Sequence, residues 1–163
     1  MRKLYLLLAL SVFSLMAFQG CSPKTGAGAL ALKRANVTGN WLLTNITFEQ
    51  IPEVAVRSFL GESSYKCFIG STWTLTNSGN GSYSLPQSAS CSAYTQSIFW
   101  SVSTADETFQ FKKLNEGDKA KNVTDGYRLL LSSANGDEMT LRSPVEYGNG
   151  GAYIVLHFAK TTK

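Results

Sequence analysis

From Gly39 onward apolar and polar residues alternate with a period of two rather than 3.6, and β-branched and aromatic residues gather between clusters of Gly, Asn and Ser. Ile69, Trp73 and Leu75 share one face while Thr72, Thr74 and Thr76 share the other. Ile98, Trp100 and Val102 alternate with Phe99, Ser101 and Ser103, and Phe109 and Phe111 with Gln110 and Lys112. Leu129 and Leu131 stand opposite Arg128, and Met139 and Leu141 alternate with Thr140 and Arg142. In the last such run Ile154, Leu156 and Phe158 alternate with Val155, His157 and Ala159. Each strand so read has one wet face, the pattern of an antiparallel sheet covered on one side, not of a parallel sheet between two layers of helices.

Most connections are too short for crossover helices. Asn77 to Gly81, Thr104 to Glu107 and Asn149 to Gly151 read as turns, and Asn135-Gly136 predicts a hairpin through a type I′ turn. Asn115 to Val123 is the one longer polar connection. About eight strands follow one another from Trp41, and closing such a meander removes two exposed edges. The expected fold is therefore all-β, an eight-stranded antiparallel up-and-down barrel. One short helix is expected between the first two strands, with Pro52 at its first position, Val54 and Phe59 on a packed face and Gly61 as its stop. A barrel of this size is either filled by side chains or holds one small ligand.

The first 20 residues read differently. Met1-Arg2-Lys3 is a short positive segment, and Leu4 to Ala17 is an apolar run broken only by Ser11 and Ser14, too short to span a bilayer and of the length of an export signal. The run ends in Phe18-Gln19-Gly20-Cys21, which resembles the lipobox of bacterial lipoproteins, although Phe18 and Gln19 stand where the common pattern has Leu and a small residue. The resemblance implies cleavage after Gly20 and lipid attachment at Cys21, which would hold the protein to a membrane. Ser22 follows, rather than the Asp that retains some lipoproteins at the inner membrane, so an outer-membrane location is expected. Residues 21–35 then read as a flexible tether rich in small and turn-forming residues, and residues 36–163 as the barrel domain.

Removing the leader changes the charge and the cysteine count. The whole chain has 163 residues, 15 Lys plus Arg, 11 Asp plus Glu and a formal net charge of +4. Arg2 and Lys3 leave with the leader, which lowers the formal net charge to +2, and no stretch interleaves basic with aromatic residues as a nucleic-acid groove would. Of the three cysteines, one is assigned to the lipid. Cys67 and Cys91 remain, in an exported protein where disulfides persist, and they are expected to pair.

Gly39-Asn40-Trp41 at the head of the first strand resembles the G-x-W opening of the lipocalin superfamily. The set of lipobox, Gly39-Asn40-Trp41, Gly70-Ser71-Thr72-Trp73, Trp100-Ser101, Phe109-Gln110-Phe111-Lys112 and Gly126-Tyr127-Arg128-Leu129 is similar to lipocalin-like bacterial lipoproteins over about residues 36 to 160. The resemblance implies that Gly39 and Trp41 close one end of the barrel beneath a cation. Lys160 on the last strand or Arg142 on the preceding one would supply it. It also implies a small hydrophobic molecule in the interior.

Little chemistry competes with that reading. His157 is the single imidazole and reads as an outward-facing strand residue, which leaves no Ser, His and Asp arrangement, and no Gly-rich phosphate loop is present. Asp106-Glu107 and Asp137-Glu138 read as solvated turns without the ligand spacing of a Ca²⁺ site. Asn36-Val37-Thr38, Asn45-Ile46-Thr47 and Asn122-Val123-Thr124 match the glycosylation sequon, which carries no meaning in a bacterial lipoprotein. No enzyme activity, cofactor or metal is expected. Trp73, Trp100, Phe109, Phe111, Tyr127, Leu129 and Phe158 are expected to face a small, largely hydrophobic ligand inside the barrel, with Tyr127 as a polar contact and Val54 to Leu60 as a lid. The alternative is a barrel filled by the same side chains that docks another cell-envelope protein or a glycan through exposed aromatics such as Phe99, Tyr94 and Tyr147. An open cavity of a few hundred Å³ would support the first; a side-chain-filled barrel would sink it.

Overall fold

The computed structural model describes residues 33–162. The leader, Cys21 and most of the tether lie outside the described residues. Eight strands follow in sequence order: β1 (Gly39–Glu49), β2 (Thr72–Leu75), β3 (Asn80–Leu85), β4 (Tyr94–Ser103), β5 (Thr108–Leu114), β6 (Tyr127–Ala134), β7 (Glu138–Val145) and β8 (Ala152–Lys160). Each pairs antiparallel with the next, and β8 returns to β1 to close an up-and-down barrel.

Alternation sets what faces inward, and two bulges shift its phase. Trp41 and Leu43 point into the core before an irregularity at Thr44, and Ile46 does so after it. One extra residue must exchange the two faces of a strand, because the side-chain period is two. A second shift at Ser132 turns the inward set Leu129 and Leu131 over to Ala134.

The two ends of the barrel differ. At one end an α-helical turn, α1 (Arg34–Val37), lies ahead of β1 and buries Val37. Trp41 Nε1 donates to the Val37 carbonyl at 2.8 Å, and Asn36 Nδ2 donates to the Ala134 carbonyl at 2.9 Å. The short turns 76–79, 104–107 and 135–137 share this end. The other end carries the long connections, and the one from β1 to β2, residues 50–71, packs Phe59, Leu60, Tyr65 and Phe68 into the core.

That connection is helical only in fragments, 3₁₀ turns at Glu53–Ala55 and Tyr65–Phe68, and the regular helical turn precedes β1 instead. Pro52 is the extended residue before the first fragment, and Val54 is 89% exposed rather than packed. β-Branched Val54 and Val56 restrict rotamers in a helix, and the chain turns sharply four residues later. Gly61 stops no helix. It is the second central residue of a two-residue turn between Phe59 and Glu62, in which Leu60 and Gly61 have φ of 47° and 83°. Ile69 is exposed, off the face of Trp73.

The hairpin at Asn135 forms with a different turn. Gly136 has φ 104° whereas Asn135 does not enter the left-handed region. Asn135 Oδ1 accepts instead from the backbone N–H groups of Asp137 and Glu138 at 2.9 and 2.7 Å. An Asx-type contact outside the two central residues satisfies the turn, so no type I′ pair is needed.

Cys67 and Cys91 form a disulfide with Cα atoms 5.4 Å apart. It ties the 50–71 connection to the 86–93 connection across the same end.

Candidate functional site

The seven residues predicted to face a ligand fall into two groups. Trp73, Trp100, Phe109, Phe111, Leu129 and Phe158 are buried in the barrel core, and Tyr127 is half-buried at the long-loop end. The six do not stand apart around a void. Trp73 stacks on Tyr83 at 4.8 Å between ring centroids and meets Phe111 and Phe158 edge-on at 5.6 and 5.7 Å. Trp100 stacks on Phe109 at 5.8 Å, and Phe109 meets Phe111 at 6.1 Å. From the connection above, Phe59 packs on Phe68 and Phe68 on Tyr83, both at 5.6 Å. Offset and edge-to-face contacts at these distances are close packing, so these side chains fill the space between themselves.

At the end where β1 begins, Gly39, Trp41 and Lys160 lie together. Trp41 is fully buried at the closed end, and Lys160 Nζ lies 5.5 Å from its ring centroid. Gly39, with φ 139°, is crossed by the same lysine, whose Cε would lie 3.0 Å from an added Cβ. Arg142 has another role on the outer wall near the opposite end, pairing with Glu49 and lying 4.0 Å over the Tyr153 ring. A second cation, Arg34, stands 4.1 Å over the Trp100 ring.

A polar cluster not anticipated from sequence occupies the long-loop end. Glu62, next to the Leu60-Gly61 turn, accepts a hydrogen bond from the Tyr94 hydroxyl and lies 3.3 Å from Lys113 Nζ. The same ammonium is 5.7 Å from the ring centroids of both Tyr83 and Tyr127. Tyr127 stacks on Phe111 at 4.9 Å, so the cluster sits directly on the aromatic core. The Tyr83 hydroxyl is buried without a hydrogen-bond partner. Burial, with the Tyr94 hydroxyl and Glu62 nearby, pushes its ionisation far above the ordinary tyrosine range. Tyr94 and Tyr127 are raised as well, chiefly by burial and then by Glu62. One signal for the cluster was present in the sequence: the alternation that sends Phe109 and Phe111 inward also sends Lys113 inward, and a charge on that face requires a partner. Glu62, 51 residues away, carries no local mark.

Two grooves lie beside this cluster. One of about 530 Å³ runs between Lys113, Tyr127 and the connection through Asp118, Asn122 and Asp125. The other, of about 580 Å³, lies on the outer wall of β4, β5 and β6, where Phe99, Ser101, Gln110 and Arg128 face Ala120 and Lys121 of the same connection. Its loop is held down by Lys112, whose Nζ donates to the Val123 carbonyl at 2.6 Å and to the Ala120 carbonyl at 3.3 Å. Phe99 is half-buried in this wall, whereas Tyr94 and Tyr147 are exposed.

His157 lies on the outer wall with its Nε2 2.9 Å from the Thr47 hydroxyl. Among the described residues no three His, Cys, Asp or Glu side chains gather as a metal set, and no helix is long and apolar enough to cross a membrane. A closed eight-stranded antiparallel barrel with a plugged end is compatible with a lipocalin-like fold and with ligand binding. No family model, curated protein or solved structure matches the chain.

Proposed function

We propose that this protein is a non-enzymatic, lipocalin-like barrel, anchored to the cell envelope through a lipid on Cys21, that takes up a small, largely hydrophobic molecule through its long-loop end. The observation that carries the reading is the asymmetry of the two ends. One is closed by Trp41, Val37 and Lys160, which belong to the barrel and its leading turn. The other is stopped by a separate connection that lays Phe59, Leu60 and Phe68 on the aromatic core, the place an apolar ligand would take. The filled interior overturns the expectation of a standing cavity lined by these aromatics; the carrier reading proposed in its place is one in which binding displaces part of the plug.

The anchor reading rests on the leader pattern and on Gly20-Cys21. Since the described chain enters at the closed end, a tether there leaves the long-loop end free to face away from the membrane. Replacing Cys21 by Ser should release the protein from membranes, and retention would contradict lipidation. Native mass spectrometry of the protein purified from its own host should find one small apolar molecule per barrel.

The outer-wall groove under the 115–126 connection favours a second reading, a filled barrel that docks an envelope protein or a glycan through Phe99, Gln110 and Arg128. Phe99→Ala would then abolish capture of that partner while leaving small-molecule binding nil.

A further inference from the structure

The turn at the tip of the plug is built under opposing demands. Phe59 and Glu62 exchange both backbone hydrogen bonds, at 3.0 and 2.9 Å, around Leu60 and Gly61. Both central residues hold positive φ, which glycine adopts freely and leucine does not. Leucine is kept there by burial: Phe59 is 4% exposed and Leu60 8%. The turn is pressed against the barrel rim, because a Cβ on Gly61 would stand 2.9 Å from the Tyr127 hydroxyl and 3.0 Å from Lys113 Nζ.

The tip thus presents two apolar side chains and one carboxylate to the barrel. Around that carboxylate stand an ammonium, Lys113, and the donating hydroxyl of Tyr94, with the Tyr127 hydroxyl beside Lys113 and the buried Tyr83 hydroxyl unpartnered. A cation and one phenolic O–H donor on the same carboxylate oxygen, with two further phenols close by, make a carboxylate-recognition set. Asp125 is the other acid near Tyr127, and it lines the 530 Å³ groove through which solvent reaches Lys113.

We propose that the rim formed by Lys113, Tyr94, Tyr127 and Tyr83 is a binding site for a molecule with a carboxylate head and an apolar body, occupied here by Glu62, Phe59 and Leu60 as an internal substitute. The proposal rests on the carrier reading and names its ligand class. The incoming carboxylate takes the place of Glu62 on Lys113 and Tyr94 and gives the Tyr83 hydroxyl an acceptor. The apolar body replaces Phe59 and Leu60 against Phe68. The disulfide at Cys67 and the turn at Glu53–Ala55 confine the displacement to the residues between them.

The test compares dodecanoate with dodecanol, which share an apolar chain and differ in the head. Both are titrated below micelle-forming concentration into the Cys21→Ser chain, so that no detergent competes, with tryptophan fluorescence as the readout. Glu62→Gln should raise dodecanoate affinity by about tenfold or more, since it removes the charged internal competitor. In the Glu62→Gln background, adding Lys113→Met should lower dodecanoate affinity by about tenfold while moving dodecanol less than about threefold, because only the acid loses a charge-assisted partner. Gly61→Ala opens the turn by steric contact without touching Glu62 and should also raise dodecanoate affinity. If both probes bind equally well and Lys113→Met is without effect on either, the carboxylate site is overturned and the carrier reading survives. If neither probe binds any of these variants while their melting curves show them folded, both fall.

Discussion

Trp41 Nε1 donates to the Val37 carbonyl at 2.8 Å, and the indole that makes this bond is fully buried beneath Lys160. The contact joins the first strand to the helical turn ahead of it and brings the last strand over both, so three distant parts of the barrel depend on one side chain. The closed end is therefore an assembled stopper and not a loop.

Trp41→Phe keeps an aromatic ring, smaller than the indole, and removes the donor. A buried carbonyl without its partner costs about 1–3 kcal/mol, and urea denaturation should show a loss of this size with an unchanged slope. Trp41→Ala removes the ring as well and should cost about 3–5 kcal/mol.

The disulfide closes a loop with a sequence separation of 24. In the chain-entropy model such a closure is worth about 3 kcal/mol, so Cys67→Ser with Cys91→Ser should lose stability of that order. All eight strands lie outside the tie except β2 and β3, so the barrel should persist, and limited proteolysis should cut first in the 50–66 stretch that the bond restrains. Cleavage first within β2 or β3 would contradict this placement.

Gly81 in β3 faces a carbonyl at close range. A Cβ there would stand 2.5 Å from Thr74 O and 3.3 Å from Trp100 Cδ1. Backbone cannot yield as a side-chain tip does, so Gly81→Ala should destabilise by about 1–3 kcal/mol through overpacking. Gly136→Ala meets nothing within 4 Å but carries φ 104°; its cost should come from backbone strain alone.

Stability should fall at alkaline pH. Burial pushes the Tyr65 hydroxyl up to about 12, helped by its bond to Glu53, and Tyr83, Tyr94 and Tyr127 are also raised above the ordinary value of 10.0. The folded chain holds protons that the unfolded chain releases. These groups therefore contribute fully below pH 10 and lose their contribution as pH rises through the raised values. Urea midpoints should decline between about pH 10 and about pH 12. A flat profile over that range would mean that the tyrosines at the rim are solvated, and the plug open, in solution.

Much of the fold was legible because β structure writes itself into neighbouring residues: alternation from Trp73 to Phe158 specified the strands, their wet faces and the short connections, and the cysteine count specified the pair Cys67 and Cys91. The helix expected at Pro52 to Leu60 was not realised as one, since a run of apolar residues with two valines does not distinguish a helix from a plug whose tip folds back at Leu60-Gly61. The phase shifts at Thr44 and Ser132 also leave no local trace, as a bulge is a relation between two strands. What only the tertiary structure decided is where the aromatic side chains go and what meets them. Periodicity places Phe111 and Trp73 on inward faces without measuring the distance between those faces, and it places Lys113 there without naming Glu62. Whether inward residues enclose a space or fill it, and whether a buried charge finds its partner, depend on contacts between segments distant in sequence, which closure of the barrel alone brings together.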